Sequence, residues 1–148
     1  GFGLSPKEDF RYLYFCKEQL EEFLSQVNVL VCLLPLTPDT EGILNLQLFK
    51  KCHPGTYLIN VARGKHLVEE DLLVALNKGY LRGALLDVYQ VEPLPKSHPF
   101  WTEKRIQVTP HIASVTNPKA ASPQIIENYN RLKAGVPLLN LVNRTRGY

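Results

Sequence analysis

From Val27 to Leu34 the chain is apolar at seven of eight positions, rich in β-branched residues and closed by Pro35. A half-exposed strand alternates between apolar and polar; this run does not, so it predicts a strand buried on both faces. The same signature recurs at Thr56 to Val61, at Gly83 to Tyr89 and at Ile106 to Thr109, the last stopped by Pro110. Between these runs the apolar spacing changes to that of a helix. Lys17 to Gln26 places Leu20, Phe23 and Leu24 on one face and Glu18, Glu21 and Glu22 on the other. Leu46 to Lys51 predicts a short helix. Val68 to Lys78 predicts a longer one, with Leu72, Leu73 and Leu76 together and Gly79 placed for a left-handed cap. Asn117 to Ala134 is helical in pattern despite Pro118 and Pro123, and Gly135 and Pro137 end it. Phe10 to Phe15 predicts one further short strand, after a loop over residues 1–9. Apolar strands alternating with helices predict an α/β fold with a parallel sheet.

In such sheets ligands sit beyond the carboxyl ends of the strands. The residues that follow each strand are therefore the candidates for chemistry. They are Pro35 to Thr40, Ala62 to Gly64, Asp87 to Pro93 and His111 to Ser114. Arg63 offers a planar donor fork suited to a carboxylate, and Gly64 allows a sharp turn and close approach to a ligand. Asp87 and Glu92 taken singly read equally well as solvated or turn-capping carboxylates. His111 is the one histidine of four at a predicted strand terminus; His53, His66 and His98 fall in turns and loops. Arg63, Glu92 and His111 on neighbouring strand ends supply a carboxylate anchor, a charge partner and a proton donor. A carboxylate beside an imidazole favours its charged form.

Composition narrows the rest. A net charge of +3 without a Lys/Arg stripe gives no footprint for nucleic acid. The apolar run Val27 to Leu36 is short of the about 20 residues that a bilayer crossing needs. Three cysteines with no CxxC spacing argue against a disulfide framework or zinc ribbon and for a reducing, cytoplasmic setting. The sequence holds no Met, which leads to the expectation of a piece of a longer chain.

Four segments taken in order carry a family resemblance: Leu33 to Thr40, Asn60 to Gly64, Gly83 to Tyr89 with Glu92-Pro93-Leu94-Pro95, and Thr109 to Ala113. In this order and spacing, the chain from about Lys17 onward resembles the D-2-hydroxyacid dehydrogenases. Arg146-Gly147-Tyr148, Leu94-Pro95 and Pro99-Phe100-Trp101 are most similar to the glyoxylate/hydroxypyruvate reductase A branch. The resemblance implies a partial Rossmann-type sheet, the C-terminal half of a nucleotide-binding domain over residues 1–134, and a tail at 135–148 that returns to a substrate domain. It implies NAD(P)H as cofactor, a small 2-keto acid as substrate and a homodimer for the intact protein. Arg63 would bind the substrate carboxylate, His111 would protonate the carbonyl oxygen, and Glu92 would hold His111 charged. Leu34, Pro35, Val61, Ala62, Arg63, Asp87, His111, Ala113 and Ser114 would line the cofactor.

The family's GxGxxG turn has no counterpart here. Gly1-Phe2-Gly3-Leu4-Ser5-Pro6 lacks the strand before and the helix after that this motif requires. The segment resembles instead the loop after the family's second strand, where Lys7 could meet a 2′-phosphate, and Phe10 to Phe15 would be the third strand. The expectation is that the 148-residue chain alone is not catalytically competent. The alternative from another class is a dinucleotide-sensing or protein-interaction module of the same fold.

Overall fold

The computed structural model describes residues 1–3 and 11–144. Four strands, β1 (Val29–Cys32), β2 (Thr56–Asn60), β3 (Leu81–Leu86) and β4 (Ile106–Val108), form one sheet. All neighbours are parallel, and the spatial order β1-β2-β3-β4 repeats the chain order. The helices are α1 (Leu20–Gln26), α2 (Leu46–Phe49), α3 (Glu69–Lys78) and α4 (Pro118–Ala134). Short 3-10 turns occupy Lys17–Gln19, Gly64–His66 and Pro99–Trp101. The elements expected from Lys17 onward are therefore present, most of them one to three residues shorter at an end than the apolar runs.

Local chemistry explains the boundaries. Asn45 caps α2, its side-chain oxygen accepting from the Leu48 N–H at 3.1 Å. Gly79 ends α3 at φ 75°, the left-handed value expected of it. Asn117 caps α4 through the Lys119 N–H, with Pro118 in the first position.

Two expectations are corrected. Residues 11–15 form no strand; Phe15 makes only an isolated parallel bridge to Phe2, while Phe10 and Lys7 lie outside the described residues. The strands, moreover, are not buried on both faces. β1 alternates: Leu30 and Cys32 are buried, whereas Val29 and Val31 stand 46% and 47% exposed. The cause is topological. Right-handed crossovers between strands added in one direction all fall on the same side of a sheet. One core therefore gathers Leu24, Phe49, Leu72 and Leu76 from the helices against Leu30, Leu58, Ala84, Leu86 and Ile106 from the strands. On the opposite face Val29 and Val31 stay open, and Ile59 and Leu85 are half-buried.

Helix α4 buries none of its residues; Ile125, Ile126, Tyr129 and Leu132 face solvent. The chain after it folds back along the helix. Asn128 exchanges two hydrogen bonds with the backbone of Leu139, and the Arg131 guanidinium donates to the Pro137 carbonyl at 3.0 Å. Arg146, Gly147 and Tyr148 lie outside the described residues.

Candidate active site

Three parallel neighbours, β2, β3 and β4, deliver Arg63, Glu92 and His111 to the same end of the sheet. His111 Nδ1 lies 2.7 Å from Glu92 Oε2. The other carboxylate oxygen, Oε1, accepts from the Tyr89 N–H at 3.0 Å. The sequence-predicted pair is thus in contact, and both groups keep access to solvent. Partial burial pushes the Glu92 carboxyl up, but its bonds to His111 and to the Tyr89 amide outweigh this and hold it below the ordinary carboxylate range.

His111 has φ 53°. Histidine is among the few residues with a side chain that are enriched in this left-handed region. Asp87 secures the loop there. It is 1% exposed, and its Oδ1 accepts from the Thr109 hydroxyl and the Ile112 N–H while Oδ2 accepts from the Ala113 N–H. Burial works to raise its pKa, and these three hydrogen bonds and the nearby His111 outweigh that and lower it. Asp87, expected to face a cofactor, thus spends both oxygens on the backbone that carries His111.

A carboxyl with a lowered folded pKa stabilises above its ordinary value and loses that contribution as pH falls through the lower one. The loop from Thr109 to Ala113 should therefore be fully anchored above about pH 5 and loosen below the ordinary Asp value of 3.8. Asp87→Asn places an amide NH₂ against a backbone donor. It should lower stability at pH 7 by about 1–3 kcal/mol and by less at pH 3. Urea unfolding at the two pH values checks this; an equal loss at both would mean that the charge is not what holds the loop.

Arg63 arrives on the neighbouring loop. Its guanidinium donates to the Ala62 carbonyl at 2.6 Å. Gly64 does approach backbone closely, but the backbone is the chain's own. A β-carbon there would fall 1.8 Å from the Tyr89 carbonyl oxygen. Gly64→Ala should therefore cost at least about 3 kcal/mol, the upper range of overpacking, and displace Tyr89 together with Glu92. Thermal unfolding near wild-type would show that the two loops do not touch.

Tyr89 is a residue that the sequence reading passed over. Its hydroxyl lies 2.8 Å from the Leu86 carbonyl and 2.9 Å from that of Thr109, tying the ends of β3 and β4 together. Its signal in the sequence was an aromatic closing the predicted strand Gly83 to Tyr89. Beside the pair opens a cleft of about 560 Å³, bounded by Tyr89, Leu94, Trp101, Val108 and Pro110.

The remaining predicted cofactor contacts form the rim of this end of the sheet. Leu34 and Val61 are half-buried, Ala62 is buried, and Pro35, Ala113 and Ser114 are exposed. An apolar rim next to a charged pair suits the nicotinamide end of a dinucleotide. Among the described residues no glycine-rich turn opens a helix to receive its pyrophosphate.

Residues 3–113 match the family model of the D-isomer specific 2-hydroxyacid dehydrogenase, NAD binding domain. The chain belongs to this family. It is 54% identical over 132 residues to a glyoxylate/hydroxypyruvate reductase A of Photorhabdus laumondii, covering 89% of this chain and 42% of that protein. With the enzyme of the same name from Serratia proteamaculans it shares 53% identity over 145 residues, 97% of this chain and 46% of that one. The chain thus spans less than half the length of these relatives. Among solved structures, a D-isomer specific 2-hydroxyacid dehydrogenase from Xanthobacter autotrophicus, in complex with NADPH and MES, superposes at TM-score 0.94 with 42% identity, over all of this chain and 62% of that one. An NADPH-dependent glyoxylate/hydroxypyruvate reductase from Sinorhizobium meliloti, in complex with NADP and sulfate, superposes at 0.93 with 36% identity, over 100% of this chain and 48% of that one. As a 2-hydroxyacid dehydrogenase domain, the chain carries its charged pair where this fold class places ligands.

Proposed function

We propose that the full-length protein carrying this chain is a nicotinamide-dependent reductase of small 2-keto acids such as glyoxylate and hydroxypyruvate. The observation that carries this reading is the His111–Glu92 pair, 2.7 Å apart at adjoining strand ends, with Arg63 on the next strand. The cofactor, NAD(P)H, supplies the hydride. Leu34, Pro35, Val61, Ala62, Asp87, Ala113 and Ser114 belong to its surroundings, together with Arg63 and His111.

Glu92 on Nδ1 leaves Nε2 of His111 free to face the substrate. The Nε2–H proton passes to the carbonyl oxygen as hydride reaches the carbonyl carbon, and the product is the 2-hydroxy acid. The neutral imidazole left behind takes its next proton from solvent, to which His111 is open. The Arg63 guanidinium swings from the Ala62 carbonyl to pair with the substrate carboxylate, where its fork gives two parallel bonds. The unpaired Cys16, Cys32 and Cys52 favour a cytoplasmic location, and the reading includes a homodimer. Among the described residues no helix is long and apolar enough to cross a membrane.

The test is glyoxylate reduction by the full-length protein with NADPH and NADH. Arg63→Lys keeps the charge but loses the fork, and kcat/KM should fall by about 10–100-fold. No turnover by the wild type, or an unchanged Arg63→Lys, would remove the assignment.

A further inference from the structure

Two polar side chains behind Arg63 are fully buried, Asn60 and His66, each 0% exposed. Both spend their hydrogen-bonding capacity on main chain, most of it at or beside Arg63. The Arg63 N–H donates to His66 Nδ1 at 3.3 Å. Asn60 Nδ2 donates to the Arg63 carbonyl at 3.1 Å, and Asn60 Oδ1 accepts from the Ala62 N–H at 3.2 Å. The second ring nitrogen of His66 lies 3.3 Å from the carbonyl of Pro35, at the end of β1. Nδ1 also lies 3.1 Å from the Arg63 carbonyl, so both polar atoms of that residue's main chain face it; in the tautomer in which Nδ1 accepts from the Arg63 N–H, Nε2 carries the proton and donates to Pro35. Thr40 also donates to that carbonyl, at 2.7 Å. The Pro35 end of the bridge is therefore held twice, while the Arg63 amide depends on His66.

We infer that His66 is a positioning residue for the substrate-carboxylate anchor: its Nδ1, with Asn60, fixes the peptide from which the Arg63 guanidinium reaches. The inference rests on the role proposed for Arg63. In sequence the device is Asn-x-x-Arg-x-x-His, with one polar residue three positions to either side of the arginine. A buried histidine that only filled space would have no need of this alignment, and an apolar side chain in its place would leave the Arg63 amide without a partner.

The experiment uses the full-length protein. An asparagine side-chain oxygen falls where Nδ1 of histidine lies, and a glutamine amide reaches where Nε2 lies. His66→Asn therefore keeps the acceptor for Arg63, whereas His66→Gln keeps only the donor to Pro35. For His66→Gln the glyoxylate KM should rise roughly tenfold, with kcat within about threefold and the NADPH KM within about twofold. His66→Asn should stay within about threefold of wild type in all three constants. Oxalate, a carboxylate probe, should bind the NADPH-loaded Gln variant more weakly by a similar factor in calorimetry. In the wild type, ring-nitrogen NMR should show Nε2 protonated and Nδ1 bare, a readout independent of whether either variant folds.

Equal kinetics in the two variants would overturn the inference. So would a parallel rise of both KM values, which marks a general loss of structure, or an Nδ1-protonated ring. A wild-type protein silent toward glyoxylate would overturn the proposed function, and this inference with it.

Discussion

His111→Ala in the full-length protein should lower kcat for glyoxylate by about 10²–10⁴-fold, the usual worth of general acid catalysis. The KM for the cofactor should change little, because the loop stays anchored by Asp87 through the Ile112 and Ala113 amides. Removing the imidazole also strips Glu92 of its partner on Oε2, while the Tyr89 amide on Oε1 keeps the carboxylate in place. The defect should therefore appear in chemistry and not in folding. His111→Asn makes the sharper control, since asparagine tolerates the φ of 53° found there and supplies no comparable acid. Steady-state kinetics with circular dichroism checks both. Turnover within tenfold of wild type for either variant would assign the proton to another group.

The isolated 148-residue chain should show no measurable turnover, bind NADPH weakly or not at all, and self-associate. Positioning the hydride carrier contributes about 7–11 kcal/mol of barrier lowering, and among the described residues nothing cradles its pyrophosphate. Two apolar surfaces drive association. The open face of β1 presents Val29 and Val31, and α4 presents Ile125, Ile126, Tyr129 and Leu132. Among the described residues the outer edge of β1 also has no strand partner, and such edges recruit other strands. Light scattering and calorimetry test this; a stable monomer with micromolar NADPH affinity would be the contrary result.

The strands and helices were legible because each apolar run had one period, and Gly79, Asn117 and Pro118 punctuated them by mechanisms that act within a few residues. Burial was not. The run from Val27 to Leu34 reports that both faces of a strand favour cover; whether cover exists depends on the side to which the crossovers turn. At the site, Arg63, Glu92 and His111 were nominated because strand ends gather ligands, and the structure brings Glu92 and His111 into contact. The inward roles of Asp87, Tyr89 and His66 were not found, because most of their side chains' partners are backbone amides and carbonyls 3 to 31 residues away, which carry no side-chain signature. Gly64 was read as a point of close approach to a ligand; the close approach that the structure shows is to the backbone of Tyr89.

The agreement between chain order and strand order has a consequence for synthesis. Each strand from β2 to β4 emerges from the ribosome when the neighbour it pairs with has already been made, so the sheet can grow outward in the direction of translation. Each strand of this set thus has one edge covered as soon as it is made, which shortens the time that this edge spends among other nascent chains. His111 follows the last strand. The proposed proton donor is thus the final member of the triplet to be installed, after the Arg63 and Glu92 loops have a framework to rest on.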